Sequence, residues 1–183
     1  MRKLFIKKKI ISPEVIQDIL SEGEPIVLSG VYSNGKSGYK EHARSSTCIG
    51  LHPKEWPDVV NPMRDLMKLF DPFGYSEAYD VMENMEYLKY DLNGRFTKHK
   101  DKIDKPNKDN TPRIERIYST TTILSKTDDL KGGDFIIYDK SGHPTKVDLD
   151  IGDTVMFDSL TDHEVTNINS GIRKSLVVWI HKI

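Results

Sequence analysis

The chain has 183 residues, of which 30% are charged, and its formal net charge is −1. This length suits one domain with a sizeable core, and the near-neutral charge argues against nucleic acid as a partner. The single cysteine, Cys48, excludes a disulfide framework and is interpreted as a small buried hydrophobe. We expect neither a signal peptide nor a membrane span, because the basic N-terminus has no apolar run of useful length, and hence a cytoplasmic protein without a membrane partner.

Two helices are predicted in the first half of the chain. In "IISPEVIQDILSEG", Ser12 is the expected N-cap, Pro13 takes the first helical position and Gly23 follows the end. The intervening "SGVYSNGKSGYKEHA" is predicted to be a loop because it is rich in glycine and serine. A second helix is predicted in "PDVVNPMRDLMKLFDPFG", where Pro72 ends it. The apolar face of this second helix is predicted to comprise Leu66, Met67, Leu69 and Phe70.

From about residue 84 onward the chain consists of short runs rich in threonine, branched aliphatic and aromatic residues, separated by glycine, aspartate, asparagine and serine. This pattern is typical of a β-sandwich or barrel. "YDKSGHPTKV" predicts a hairpin with Ser141 and Gly142 in its turn. We therefore expect one domain over 1–183, of the α+β class with a mainly β core. Its helical part would occupy about 1–80 and its β core about 84–183.

A candidate metal site begins in "FTKHKDKID". In an extended segment His99 and Asp101 point to the same face, while Phe96, Lys98 and Lys100 should point to the other. One more histidine would complete a two-histidine, one-carboxylate facial triad, an arrangement that is diagnostic of non-haem Fe(II) oxygenases. A His-x-Asp tripeptide also arises often by chance, so these two residues alone do not establish a site.

The last strands supply candidates for the rest of the site. His163 begins an extended run and can be the third ligand, although in isolation it is equally an exposed turn histidine. Arg173 and Ser175 alternate with Val177 and Trp179, so these four side chains should face the interior. A buried arginine needs an anionic partner, and its guanidinium fits a carboxylate in bidentate fashion. A dicarboxylate held by Arg173 at one end could therefore chelate a metal at the other.

The remaining histidines are interpreted as non-ligands. His42 and His52 flank a loop-to-strand region and are expected at the surface, with substrate contact as an alternative. His143 lies in the predicted hairpin turn and should be exposed. His181 alternates with other residues of the last strand and is interpreted as structural.

Several motifs occur together in order over residues 84–183. "YDLNGRFTKHKD", "RIYSTTTIL" followed by "GGDF", and "IGDTVMF…H…GIRKSLVVWIHK", with "ARSSTCIG" upstream, resemble those of the Fe(II)/2-oxoglutarate-dependent dioxygenases, and within them the prolyl 4-hydroxylase-like group. The resemblance implies a double-stranded β-helix, or jelly roll, with the N-terminal helices packed on one sheet. It also implies that His99, Asp101 and His163 are the iron ligands and catalytic centre.

The resemblance assigns further roles by position. Arg173 would bind the distal carboxylate of 2-oxoglutarate with support from Ser175, although prolyl 4-hydroxylases proper usually carry lysine there. Tyr90 would hydrogen-bond the cosubstrate, and Ser119 keeps a hydroxyl where the family often has threonine. Two side chains would contact substrate, Trp179 and Arg44. Tyr90 and Trp179 also have a simpler interpretation as core residues.

The function implied by the resemblance is hydroxylation of an unactivated C–H bond, first of all in a peptidyl proline, with release of succinate and CO2. Fe(II), 2-oxoglutarate and O2 would be required, with ascorbate as a reductant. The partner would be a peptide or protein substrate, and both monomer and homodimer remain open. Alternatives are a hydroxylase of a free amino acid or other small molecule, and a non-catalytic jelly-roll binding module. The polar segment over 102–112 is either a solvated loop or a lid over the substrate.

Overall fold

The computed structural model describes residues 4–7, 9–33, 36–38, 42–70, 79–102 and 115–182. The helices are α1 (Pro13–Ser21) and α2 (Pro57–Phe70), with a short 3-10 helix at Pro53–Glu55. The strands of the first half are β1 (Leu4–Lys7), β2 (Val27–Leu28), β3 (Val31–Ser33), β4 (Lys36–Gly38), β5 (Arg44–Ser45), β6 (Thr47–Leu51), β7 (Tyr79–Asp80) and β8 (Met85–Tyr90). The later strands are β9 (Arg95–His99), β10 (Arg116–Lys126), β11 (Lys131–Gly132), β12 (Phe135–Tyr138), β13 (Pro144–Val147), β14 (Thr154–Asp158), β15 (His163–Val165), β16 (Ile168–Ser170) and β17 (Arg173–Lys182).

The two predicted helices are present. The Ser12 hydroxyl caps α1 by accepting a hydrogen bond from the Val15 N–H at 3.3 Å. On α2, Leu69 was placed on the apolar face wrongly, because it is 57% exposed. At 3.6 residues per turn Leu69 falls outside the buried stripe. That stripe is formed by Val59, Val60, Met63, Leu66 and Met67. Pro72 and the Phe70 side chain lie outside the described residues.

The described strands form two main antiparallel sheets. The major sheet runs β1-β14-β10-β17-β8-β6-β2, with β7 also paired to β17, and the minor sheet runs β13-β12-β15-β9-β5. The predicted hairpin is confirmed, since β12 pairs with β13 and Gly142 adopts φ +83° in the turn. These sheets form the predicted jelly-roll core.

Each face of the major sheet covers a separate hydrophobic core, because side chains alternate along a strand. On one face, Leu176, Val178 and Ile180 of β17 pack with α1 and α2. This contact confirms that the helices pack on one sheet. On the other face a second core lies between the sheets, and it includes Leu88, Tyr90, Ile123, Phe135, Phe157 and Val165.

The N-terminal part is less purely helical than predicted. β1 pairs with β14, β6 extends the major sheet beyond β8, and β5 pairs with β9. The predicted loop "SGVYSNGKSGYKEHA" contains the β3-β4 hairpin. Pairing with an available partner outweighed the glycine- and serine-rich composition, because strand preference depends strongly on context.

Two further predictions concern the whole chain. A single domain over 1–183 stays a prediction. The proposed lid over 102–112 lies, apart from its first residue, outside the described residues. Within the described ranges, neither α1 nor α2 is long and apolar enough to span a membrane.

Candidate metal and cosubstrate site

The structure brings the predicted triad together on the minor sheet. His99, at the end of β9, lies opposite His163, the first residue of β15. Asp101 follows β9, and its N–H donates to the Ser159 carbonyl at 3.0 Å, which fixes its backbone beside the two rings. One donor atom from each of the three residues lies within 4.8 Å of the others. This geometry allows all three to reach a single metal ion.

Both imidazole rings are oriented by the same local hydrogen bond. The Nδ1 of His99 lies 2.8 Å from the Thr97 carbonyl, and the Nδ1 of His163 lies 2.9 Å from the Thr161 carbonyl. A carbonyl can only accept, so each Nδ1 carries a proton and each Nε2 of the neutral ring has a free lone pair. These Nε2 atoms face Asp101 at 3.5 and 3.7 Å. Such bonds from the remote ring nitrogen are typical of histidines that bind metals.

The electrostatics favour the ligand forms of these groups. Burial raises the pKa of the Asp101 carboxyl, but His163, His99 and Arg116 outweigh it and hold that pKa far below its usual range. Burial lowers the pKa of His163 to about 4, against the opposing influence of Asp101. At neutral pH the site therefore presents an ionised carboxylate and a neutral imidazole, as metal binding requires.

One predicted orientation in this stretch is wrong. The register pairs His163 with His99 but Val165 with Phe96, so β9 contains one residue more than β15 between these pairs. This β-bulge breaks the alternation. Phe96 therefore lies on the same face as His99, and the two rings stack with centroids 3.4 Å apart. Lys98 is exposed on the outer side, as predicted.

A cavity that opens to solvent connects the triad to the start of β17. Arg173, Ser175, Val177 and Trp179 all line it, which confirms their predicted inward orientation. Tyr90 also lines the cavity and lies opposite Arg173 in the β8-β17 register. The minor sheet thus supplies the triad, and the major sheet supplies the far end of the cavity.

The guanidinium of Arg173 lacks a full set of acceptors. Its side chain is buried, and Nη1 donates to the Ser175 hydroxyl at 3.0 Å. Nη2 is also buried but has no hydrogen-bond partner within the described part of the chain. Burial lowers the pKa of Arg173. An unsatisfied buried donor calls for a specific explanation, and a ligand carboxylate between Arg173 and the triad would satisfy it. The residues present therefore fit both the metal and 2-oxoglutarate.

Ser119 does not line this cavity. Its hydroxyl lies 3.0 Å from that of Ser159, whose carbonyl accepts from Asp101. Ser119 is therefore better placed to support the Asp101 segment than to contact a cosubstrate. Thr121, two residues later on the same strand face, does line the cavity. The period-two alternation of a strand was the signal that could have identified it.

The two proposed substrate contacts both line the cavity. Arg44 is buried, and its Nη2 donates to Glu86 at 2.7 Å while its guanidinium carbon lies 4.7 Å from the Phe96 ring centroid. Trp179 presents one ring face to Arg116 at 3.8 Å. The Trp179 Nε1 is buried without a partner among the described residues, so it can donate to a bound molecule.

The residues interpreted as non-ligands lie where expected, with one exception. His42, His52 and His143 are exposed, and His181 is buried at the end of β17. Cys48 is half-buried rather than fully buried, because it lies next to the edge strand β2. Burial still raises the pKa of its thiol, which disfavours a role as a nucleophile.

Sequence comparison identifies the family. The family model for the 2OG-Fe(II) oxygenase superfamily matches residues 85–181. A PKHD-type hydroxylase of Acinetobacter baumannii is 32% identical over 97 residues, which cover 53% of this chain and 42% of the relative. A PKHD-type hydroxylase of a Psychrobacter species is 28% identical over 97 residues, which cover 53% of this chain and 37% of that relative. The match thus spans less than half the length of these curated relatives.

Solved structures support the same fold. A Pseudomonas putida prolyl 4-hydroxylase superposes with a TM-score of 0.72 at 15% identity, covering 100% of this chain and 94% of that one. The viral collagen prolyl hydroxylase of Paramecium bursaria Chlorella virus-1, in complex with 2-oxoglutarate, gives 0.70 at 13% identity, covering 98% and 96%. The matched family implies Fe(II), 2-oxoglutarate and O2. With the family model covering just over half of the residues, the chain belongs to the 2OG-Fe(II) oxygenase superfamily.

Proposed function

We propose that this protein is a 2-oxoglutarate-dependent dioxygenase that hydroxylates an unactivated C–H bond, first of all in a peptidyl proline. One observation carries the proposal: the triad donors line a single cavity with the guanidinium of Arg173, whose buried Nη2 has no partner among the described residues. 2-Oxoglutarate carries a carboxylate at each end, so it matches both ends of this cavity.

The residue roles follow from that match. His99, Asp101 and His163 would hold Fe(II), since two imidazoles and one carboxylate are the ligand set of non-haem Fe(II) oxygenases. Arg173, steadied by Ser175, would bind the distal carboxylate of 2-oxoglutarate. When bound, Fe(II), 2-oxoglutarate and O2 supply the oxidative decarboxylation that yields succinate, CO2 and a hydroxylated product.

The protein's own contribution is orientation and the exclusion of water. The Nδ1 hydrogen bonds fix both imidazole rings before any metal binds. Around His163, the ring centroids of Phe157 and Phe135 lie 4.6 and 5.7 Å away and shield the ligand from solvent. Tyr90, beside Arg173, is proposed to hydrogen-bond the cosubstrate from the opposite strand.

A peptide substrate is favoured by the structural neighbours. A prolyl hydroxylase of Trichoplax adhaerens, which superposes with a TM-score of 0.68 at 14% identity and covers 100% of this chain and 84% of that one, is bound to a peptide fragment of hypoxia inducible factor. Trp179 and Arg44 are the proposed contacts for such a peptide. Ascorbate as reductant, a cytoplasmic location, a monomer or homodimer and the absence of nucleic acid and membrane partners stay predictions.

The test is succinate formation from 2-oxoglutarate with Fe(II), with mass spectrometry of the acceptor. Proline-rich peptides and free amino acids would be screened in parallel, so that the small-molecule alternative is examined directly. His99→Ala should abolish both succinate formation and iron binding. The matched control is His143→Ala, which removes an exposed histidine in the β12-β13 turn and should change neither.

Two results would argue against the proposal. Absence of succinate with every acceptor, together with unchanged iron binding in His99→Ala, would favour a non-catalytic binding module. Turnover of free amino acids without turnover of peptides would retain the dioxygenase and replace its substrate class.

A further inference from the structure

A charged cluster lies next to the cavity but does not line it. The Glu83 carboxylate, just before β8, accepts from Arg116 at both oxygens, Nε at 2.5 Å and Nη2 at 2.6 Å. The Nε2 of His181 lies 2.7 Å from the same carboxylate. Three hydrogen-bonding atoms on two side chains therefore converge on Glu83.

The protonation of His181 follows from its other contact. Its Nδ1 lies 3.3 Å from the backbone N–H of Met82, which can only donate. The ring must therefore accept at Nδ1 and carry its proton on Nε2, so it donates to Glu83. Glu83 therefore accepts hydrogen bonds from both Arg116 and His181, and its carboxylate form provides the acceptors that they need.

Arg116 connects this cluster to the cavity. With Nε and Nη2 bound to Glu83, its guanidinium carbon lies over the Trp179 ring, 3.8 Å from the centroid. Its remaining Nη1 points at the backbone carbonyl of Asp101 at 3.5 Å. One planar cation thus contacts both a wall of the cavity and the segment that bears the carboxylate ligand.

We propose that Glu83 and His181 are positioning residues that act through Arg116 to hold Trp179 and the Asp101 segment in place. A guanidinium held by two hydrogen bonds along one edge is restricted in its rotation, so its contact with the ring restricts the position of the indole. Stacking of a cation on tryptophan adds attraction where the pair is shielded from water. The inference has a structural part, the placement of Trp179 and the Asp101 segment, and a catalytic part, the effect of that placement on hydroxylation. Only the catalytic part rests on the proposed function.

The structural part is tested on the metal-free protein by tryptophan fluorescence. Trp56→Phe leaves Trp179 as the one remaining indole. In that background Glu83→Gln should shift the emission to the red and raise quenching by acrylamide. The reason is that an amide NH2 in place of a carboxylate oxygen faces Arg116 or His181, which are both donors. Arg64→Ala is the matched control, because it breaks an exposed bidentate pair with Asp80 that touches neither Trp179 nor Asp101.

The catalytic part is tested by counting hydroxylations per 2-oxoglutarate consumed. A misplaced cavity wall should lower this ratio roughly tenfold in Glu83→Gln, while the KM for 2-oxoglutarate stays unchanged because Arg173 is not affected. His181→Leu should behave like Glu83→Gln. His181→Gln should restore the wild-type ratio, because its amide can still donate to Glu83 and accept from Met82.

The outcomes distinguish the positioning role of Glu83 and His181 from the proposed function. Unchanged Trp179 fluorescence in Glu83→Gln and His181→Leu, or an equal change in Arg64→Ala, would refute the positioning role even in an active enzyme. If Glu83→Gln does not fold, the pair His181→Leu and His181→Gln carries the same comparison. A fluorescence change in a protein without any succinate formation would support the positioning role and refute the proposed function instead.

Discussion

At the scale of single residues, Arg173 shows how a binding site is held ready before its ligand arrives. Its guanidinium is buried with one donor satisfied by Ser175 and another without an acceptor in the described residues. A buried donor without a partner costs free energy, so this arrangement is maintained against stability. A ligand carboxylate relieves that cost, which makes Arg173 a sensitive probe of the cosubstrate.

We expect Arg173→Ala to raise the KM for 2-oxoglutarate roughly ten- to a hundredfold, the range set by losing hydrogen bonds to a charged group. The KM of Arg173→Lys should lie between those of the wild type and Arg173→Ala, because lysine keeps the charge and loses the bidentate geometry. Iron affinity in the absence of 2-oxoglutarate should stay unchanged. Arg64→Ala serves as the control, and an unaltered KM in Arg173→Ala would contradict the assignment.

His163 predicts how the stability of the metal-free protein depends on pH. Its pKa is lowered by burial to about 4 in the folded state, against about 6.5 in an unfolded chain. Between these values the unfolded state binds a proton that the folded state does not. The free energy of unfolding should therefore fall by up to about 3 kcal/mol as the pH drops from about 6.5 to about 4.

Urea denaturation of the metal-free protein at several pH values measures the slope of the free energy of unfolding against pH. In His163→Asn, which lacks the titrating ring, the slope over the same interval should be smaller. An identical slope in both proteins would show that other groups cause the loss of stability.

At the scale of elements, the short link between β11 and β12 supports Arg173 from behind. Gly133 adopts φ +67°, and a Cβ there would lie 3.1 Å from Ile168 and 3.4 Å from the Cδ of Arg173. An alanine methyl there would crowd Ile168 and lie against the stem of the arginine. The second glycine of "GGDF" is therefore required by spacing as well as by backbone conformation.

We expect Gly133→Ala to raise the KM for 2-oxoglutarate, because the added methyl crowds Ile168 and removes the free space beside Arg173. Gly142→Ala is a matched control: its φ is +83°, but nothing lies within 4 Å of the added Cβ. Both variants should lose stability from backbone strain. Equal KM values in the two would remove Gly133 from the cosubstrate site.

The elements also show where sequence reasoning succeeds and where it fails. His99 and Asp101 were predictable because their two-residue spacing fixes a shared face in any extended segment. Phe96 was not, because a bulge is set by pairing with β15, which lies far away in the chain. Likewise, nothing local to Glu83 predicts that it meets Arg116 and His181.

At the scale of the molecule, the two hydrophobic cores have different tasks. The core under α1 and α2 contains Met63, which is fully buried and remote from the cavity. The core between the sheets contains Phe157, which lies edge-on to His163 with ring centroids 4.6 Å apart. The first core supports the major sheet, whereas the second also supports a proposed ligand.

We expect Met63→Ala and Phe157→Ala each to lower the free energy of unfolding by about 2–5 kcal/mol, the range for truncating a large buried side chain. Only Phe157→Ala should also weaken iron binding, by roughly tenfold or more, because it releases the His163 ring. Denaturation curves and iron titrations of the same preparations separate the two effects. Equal iron affinities would mean that the two cores do not differ in this respect.

The bulge in β9 has a consequence for how this strand can change. Although they are three positions apart, Phe96 and His99 share a face because β9 has one residue more between them than β15 has between His163 and Val165. Replacing the exposed Thr97 or Lys98 leaves that count intact, so a wide range of side chains should be accepted there. Removing either residue would leave Phe96 and His99 two positions apart, a spacing at which both still face the cavity in a regular ladder. A one-residue deletion at this point should therefore straighten β9 without turning either ring out of the cavity.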